Sequence, residues 1–265
     1  MVELYHHFIY EGVLFQMIKN ATIDKQVTHK TIRAFKDQTL TEEQLTTLIE
    51  VASHTSSSMF MQQFSILHIT DEQKRMSIRQ ISGQKYVGTN GDLFIFVVDL
   101  HRNQSIRHQL GKDDGRLHQT DIFLQGVEDT VLAVQNMVNA AESMGLGAVI
   151  LGSVNNNPKA LLEVLRLPKM TFPILGLQVG IADQKPQLKP RLPLDAIFFE
   201  NDYHEINVSD LKEYDEIVQT YYDLRDSNRR IDSFTKQVSS KKLGAKKTLR
   251  DELLEVLYNQ GLCLK

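Results

Sequence analysis

The chain reads as an α+β protein, a sheet wrapped by helices, on three observations. Short β-branched and aromatic runs are separated by stretches of helical periodicity, these do not alternate as regular βαβ units, and no G-x-G-x-x-G follows any of the runs. The Rossmann and P-loop signatures are both missing. Along the chain, residues 1–16 (MVELYHHFIYEGVLFQ) are aromatic-rich and interrupted by Glu11, and they are expected to be an extension outside the core fold. A polar helix start is expected from Met17, and residues 17–265 are expected to form a single domain.

Thr41-Glu42-Glu43-Gln44 is a capping box, and Leu45, Leu48, Ile49 and Ala52 follow at helical spacing until the hydroxyl run Thr55 to Ser58 ends the helix. Phe64 to Ile69 and Leu93 to Leu100 are predicted strands, with a helix near Asp71 to Ile81 and a loop over 82–88 between them. Val127, Val131, Val134, Val138 and Ala141 place a long buried helix within 118–144, stopped by Gly145-Leu146-Gly147. Ala148 to Leu151 then reads as a strand, Pro158 to Leu165 as a short helix with proline in its first turn, and Pro173 to Gly180 as a strand. The polar stretch 200–240 carries one predicted helix, near Asp210 to Leu224, and a last helix runs from Leu249 to Tyr258. Its aliphatics Leu253, Leu254, Val256 and Leu257 suit either a second subunit or packing within the chain.

Composition narrows the function. With 265 residues, 42% hydrophobic and 24% charged, the chain can bury a sizeable core, and a net charge of -3 argues against a nucleic-acid surface covering the whole protein. A single cysteine, Cys263, excludes an intrachain disulfide, a cysteine metal cluster and a redox pair, which fits a reducing cytosol. The longest strong apolar run, Leu93 to Val98, is far too short to span a membrane, and the N-terminal residues lack the cationic start of a secretory signal.

No G-x-S-x-G motif is present, and the histidines lack zincin spacing, so neither acyl transfer nor a metal centre is expected. What stands out instead is a set of anion-binding and hydrogen-bonding groups. Lys189, Pro190 and Arg191 sit in Leu188-Lys189-Pro190-Arg191-Leu192-Pro193, where prolines stiffen the backbone around two cations as a phosphate clamp requires. A second cationic cluster, His29-Lys30-Thr31-Ile32-Arg33, carries a hydroxyl between its charges. Taken alone, either cluster is more often a solvated basic loop. The run Thr55 to Ser58 followed by Met59-Phe60-Met61-Gln62 pairs hydroxyls with soft apolar side chains, although such a run is more often a helix end over a core. Gly152-Ser153 leaves backbone unobstructed for a flat ligand, and Gln84 in a glycine-flanked loop offers the donor and acceptor pattern of a heterocyclic imide. Cations for a phosphate, hydroxyls for a sugar chain, and an amide with bare backbone for a heterocycle together describe a flavin mononucleotide (FMN) site.

HKTIRAF (29–35), TSSSMFMQ (55–62), GQKYVG (83–88), AAESMGLGAVILGSVNNNP (140–158), FPILGLQVG (172–180), LKPRLP (188–193) and YYDLRDSNRR (221–230) resemble, in order and spacing, the oxygen-insensitive NADPH nitroreductases and NADPH:flavin oxidoreductases of the nitroreductase superfamily. The resemblance covers roughly residues 25–262. It implies a nitroreductase-like α+β fold with a mainly antiparallel central sheet, a cytoplasmic homodimer, and FMN as cofactor. By it, His29, Lys30, Thr31, Ile32 and Arg33 form the first FMN-binding segment, Ser57 meets the ribityl or ring region, and Gln84 meets the isoalloxazine edge. Ile150, Leu151, Gly152 and Ser153 lie along the ring, and Lys189, Pro190 and Arg191 close on the cofactor. Met59 and Phe60 border the substrate space, while Arg225, Ser227, Asn228 and Arg229 meet the adenosine phosphate of NADPH. The implied reaction is ping-pong, NADPH first and then a nitroaromatic, quinone or free flavin, with no indispensable protein acid, base or nucleophile.

Lys30, Thr31, Met59 and Asp226 depart from the usual residues of the group. Met59 adds bulk over the ring, and Asp226 adds negative charge near a phosphate site. Two other readings are open: a dedicated NADPH:FMN reductase that releases reduced flavin, and a non-enzymatic anion- or nucleic-acid-binding module using the basic stretch Lys236 to Arg250.

Overall fold

The computed structural model describes residues 7–10, 13–225, 233–244 and 247–265, with backbone alone at 7–10, 13–16, 222–225 and 242. The chain falls into two compact units, one made of 31–185 with 247–265 and the other of 1–30 with 186–246.

The larger unit is built on a four-stranded sheet. Its strands are β3 (Phe64–Ile69), β4 (Asp92–Asp99), β5 (Gly147–Leu151) and β6 (Thr171–Gly180), all pairings are antiparallel, and the order is β3-β4-β6-β5. The helices of this unit are α2 (Glu42–Ser53), α3 (Glu72–Ser82), α4 (Leu100–Gln109), α5 (Thr120–Ser143), α6 (Pro158–Leu165) and α9 (Leu253–Asn259). Leu93 to Val98 of β4 form an unbroken apolar run, and both faces of the strand are covered. Leu93, Ile95 and Val97 pack with Ile78 of α3 and Leu161 and Leu165 of α6, while Phe94 and Phe96 pack with Leu48 of α2 and Ala133, Val134 and Met137 of α5.

Pro173 lies inside β6 but past the end of β5, which pairs only with Gly176–Gly180, so of the two neighbouring strands β4 alone flanks it and its missing N–H costs no ladder bond on the other side. It is accommodated by a register shift against Phe96 and Val97 of β4. The carbonyls of Pro173 and Ile174 at that shift both accept from the Asn155 amide, at 3.0 and 2.8 Å. Asn155 belongs to a 3₁₀ turn, Gly152–Asn156, directly after β5.

The predicted elements of this unit are present with small shifts. The Thr41/Gln44 capping box forms as expected. The predicted strand ending at Leu100 stops instead at Asp99, whose carboxylate accepts from the Arg102 N–H and caps α4. That helix has almost no apolar face and went unpredicted for that reason. The last helix begins as a 3₁₀ turn over Leu249–Glu252, and Val256 and Leu257 pack inside the chain with Leu100, Phe123 and Phe172, while Leu253 and Leu254 face outward.

In the smaller unit, His7–Tyr10 and Val13–Gln16 pair as an antiparallel hairpin, β1 and β2, so the N-terminal segment carries structure of its own. Asn20, not Met17, caps the following helix, α1 (Ala21–Val27). α7 (Lys212–Arg225) is followed by a second, five-residue helix, α8 (Phe234–Val238), too short to leave a periodic signal.

Candidate cofactor site

The site in the larger unit is assembled around the end of β5. Thr31 bridges in parallel to Ala148, and the Ile32 N–H donates to the Ala148 carbonyl at 2.9 Å, which lays the 31–33 segment along that strand. The approach is close enough to require glycine at 147, since a Cβ there would meet the Ile32 side chain at 2.7 Å. Ile32 is therefore buried against β5, while Thr31 is partly open and Arg33 exposed.

Past Ala148, Ile150 is 39% exposed although its neighbours are buried, and Leu151 turns its side chain into the core. A Cβ on Gly152 would meet no atom within 4 Å, so the backbone there faces open space. The turn that follows is fastened on three sides. Asn155 reaches the β6 bulge, the Asn156 amide donates to the Ser82 carbonyl at 2.9 Å, and Arg250 donates to the Gly152 and Asn155 carbonyls at 2.6 and 3.3 Å. Ser82 ends α3 and its hydroxyl accepts from the Gln84 N–H, so the loop with Gln84 is joined to the same turn. The Gln84 residue itself is exposed. Arg250, counted above in a basic stretch, thus serves as a backbone clasp.

Ser57, Met59 and Phe60 lie between α2 and β3. Asp129 of α5 is 1% exposed, and its two oxygens accept from the Ser58 and Gln63 N–H groups at 2.7 and 3.1 Å. The Ser58 hydroxyl donates to Gln125 at 2.9 Å. Between those anchors Met59, Phe60 and Gln62 have φ of 49°, 59° and 48°, left-handed positions that cost non-glycine residues energy. Met59 and Phe60 are 61% and 83% exposed at its crest. Asp129 and Gln125 escaped sequence reading because they occupy one face of a helix whose valines dominated the pattern.

In the smaller unit, His29 and Lys30 follow the C-cap of α1. The Arg191 guanidinium rests on the carbonyls of its own neighbours Lys189 and Pro190, at 3.2 and 3.4 Å, and Tyr214 donates to Pro190 at 3.5 Å. Lys189 and Pro190 also line a cavity of about 390 Å³ with Tyr214, Tyr221 and Phe234. Arg225 closes α7 as backbone, and Ser227, Asn228 and Arg229 lie outside the described residues. Among the described residues no group of three or more His, Cys, Asp or Glu is placed to hold a metal ion, and no helix is long and apolar enough to cross a membrane.

The antiparallel sheet with helices on both faces, and the open, glycine-lined turn at the end of its edge strand, agree with what the comparisons with known proteins find. Residues 27–181 match the Nitroreductase family and residues 189–265 its C-terminal domain. The chain is 35% identical over 244 residues to the NADPH-flavin oxidoreductase of Vibrio harveyi, covering 92% of this chain and 98% of that one. It is 36% identical over 240 residues to the NADPH-dependent oxidoreductase of Staphylococcus aureus, covering 88% and 94%. Among solved structures it is similar to nitroreductase A from Vibrio parahaemolyticus, with a TM-score of 0.84, 34% identity and 94% and 100% coverage. The NADPH:FMN oxidoreductase from Vibrio harveyi complexed with NAD+ gives a TM-score of 0.83, 33% identity and 93% and 100% coverage. The chain belongs to the nitroreductase family of oxidoreductases. Within it, the chain falls in the NADPH group, with relatives named NADPH-flavin oxidoreductase and NADPH-dependent oxidoreductase.

Proposed function

We propose that the chain is an NADPH-dependent flavin oxidoreductase that holds FMN and passes two electrons, in a ping-pong cycle, to a small planar acceptor such as a nitroaromatic, a quinone or free flavin. The observation that carries this reading is the convergence, at the end of β5, of the 31–33 segment, the open Gly152-Ser153 backbone and the loop bearing Gln84. These residues fit the cofactor. Open space before Gly152 admits a flat ring, and the half-exposed Ile150 offers it an apolar surface.

Bound FMN would supply the hydride chemistry, so no acid, base or nucleophile of the protein is needed. In this reading Gln84 presents both a donor and an acceptor to the ring edge, and Ser57 a hydroxyl to the ribityl chain. Thr31 and Arg33, with His29 and Lys30 before them, form the first binding segment, whereas Ile32 and Leu151 serve through backbone because their side chains are buried. Lys189 and Arg191, stiffened by Pro190, supply positive charge for the phosphate or for the reduced ring, where preorganised donors act most strongly. Met59 and Phe60 give the planar acceptor an exposed apolar surface, and Arg225, Ser227, Asn228 and Arg229 are assigned to the phosphate of NADPH.

A homodimer is part of the proposal, supported by Leu124, Val131 and Leu132 of α5, which are 53%, 41% and 51% exposed. A cytoplasmic setting is supported by the single cysteine. Residues 17–265 are taken as one FMN-binding domain with 1–16 as an extension to it.

The test is the visible spectrum of the purified protein, followed by chromatography of the heat-released cofactor and by anaerobic addition of NADPH. Flavin bands, release of FMN and bleaching by NADPH are expected. A colourless protein that neither binds added FMN nor oxidises NADPH in its presence would overturn the reading, and comparing free FMN with a nitrofuran and a quinone as acceptor separates a dedicated flavin reductase from a broader enzyme.

A further inference from the structure

The loop from Gly83 to Gly91 joins α3 to β4 without a ladder of its own, so its carbonyls need partners from elsewhere. Every carbonyl from Tyr86 to Gly91 is met by the side chain of Arg75, Arg79 or Gln178. Arg75, only 8% exposed, donates to Gly88 at 3.1 Å, Thr89 at 3.3 Å and Gly91 at 2.7 Å, and its remaining nitrogen reaches Ile69 at the end of β3 at 3.2 Å. Arg79, one turn along α3, donates to Val87 at 2.8 Å and to Gly88 at 2.6 Å. Gln178 of β6, fully buried, donates to Tyr86 at 3.3 Å and Asn90 at 2.6 Å and accepts from the Gly88 N–H at 2.9 Å.

An ordinary surface loop does not receive this treatment. Burying a guanidinium removes water from a charge and is tolerated only where its donors are used, and here all but the one that meets Ile69 are used on this loop. Gly88 lies under the clamp with φ of +64°, where a Cβ would sit 3.2 Å from the Arg75 carbonyl, so the loop is drawn down onto α3 as far as glycine allows. Two site segments depend on this loop. Gln84 leaves its N-terminal end, and at the other end the Asn90 amide donates to the Phe35 carbonyl at 3.0 Å, tethering the segment that begins at Thr31.

We propose that Arg75, Arg79 and Gln178 are positioning residues for the cofactor site: they hold the 84–91 loop so that the Gln84 amide is fixed in place before the flavin arrives. The inference rests on the FMN reading above. Its physical content is preorganisation, in which a loop already ordered loses little entropy on binding.

The test is a double-mutant cycle on the holoenzyme, with FMN dissociation followed by recovery of flavin fluorescence on dilution, and the visible spectrum and thermal midpoint recorded for each protein. Arg79→Lys is the primary variant, because its side chain is partly exposed, and Arg75→Lys the second. In the Gln84 background, Arg79→Lys is expected to weaken FMN binding about threefold or more and to shift the bound-flavin spectrum, while in the Gln84→Ala background the same substitution should have almost no further effect. An equal loss in both backgrounds, or a lowered thermal midpoint with unchanged FMN binding in both lysine variants, would mean that the clamp only supports the fold. A Gln84→Ala protein that holds FMN as tightly as the unaltered one overturns this inference and leaves the cofactor reading standing. A chain that never holds FMN takes both down together.

Discussion

Arg33 and Arg191 are both exposed, and the Arg191 guanidinium rests on the Lys189 carbonyl. Cations kept at the surface contribute little to folding, and on the reading proposed above these two receive the FMN phosphate. Replacing either with Ala is therefore expected to leave the thermal midpoint nearly unchanged and to weaken FMN retention tenfold or more, since hydrogen bonds to charged groups contribute about 1.5 to 3 kcal/mol each. Retention is read from the flavin absorbance that remains after dialysis. Unaltered retention in both variants would remove the phosphate assignment.

At the scale of elements, the connection between α2 and β3 is held by α5 through one carboxylate. Asp129 takes the Ser58 and Gln63 N–H groups, and the backbone between them carries three left-handed non-glycine residues. Such a conformation persists only when its surroundings over-determine it. Asp129→Ala would leave two N–H groups without their acceptor, and the expected outcome is a loss of about 1 to 3 kcal/mol in urea unfolding. Faster hydrogen exchange at Ser58 and Gln63, with slower turnover of planar acceptors that use the Met59–Phe60 crest, should accompany it. If exchange at those amides does not change, Asp129 is not what shapes the crest.

For the whole molecule, Asp92 at the start of β4 is the most enclosed of the carboxylates held below their ordinary value, and stability in acid is expected to depend on it. Its carboxylate accepts from His68 Nε2 at 2.8 Å and from the Leu40 N–H at 2.8 Å, tying the strand to the segment before α2, and His68 stacks on Phe94 at 4.8 Å. Burial raises the Asp92 pKa, but the hydrogen bonds from His68 and Leu40 and the charges of His68 and Arg75 outweigh it and hold the carboxyl below its ordinary value. The folded chain thus binds this proton more weakly than the unfolded chain, whose aspartate titrates at about 3.9. The stabilisation is complete above about pH 4 and is lost as the pH falls through the lower folded value. Asp92→Asn should be less stable at neutral pH and should flatten the acid limb of the stability curve. Urea midpoints measured from pH 6 down to pH 3 check this, and parallel curves for the two proteins would show that another carboxylate governs the acid transition.

The fold class was legible because it rests on local patterns. The Thr41/Gln44 box, the unbroken β4 run and the valine stripe of α5 each state their own conformation, and LKPRLP states a stiff cationic backbone without reference to any other part of the chain. α4 was not legible, because a helix polar on every side has no period to detect, and neither was the five-residue α8. The same division runs through the site. Gln84, Gly152 and Arg33 were named from their chemistry and from family resemblance, but sequence gave no hint that Arg75, Arg79 and Gln178 would spend their donors on consecutive carbonyls, or that Arg250 would clasp Gly152. Such bonds join residues separated by up to 98 positions, so they exist only once the strands are in register. Amino-acid chemistry determined which groups are proposed to meet a ligand, and tertiary packing decided which groups hold them still, because a buried donor takes whatever acceptor the folded backbone brings to it.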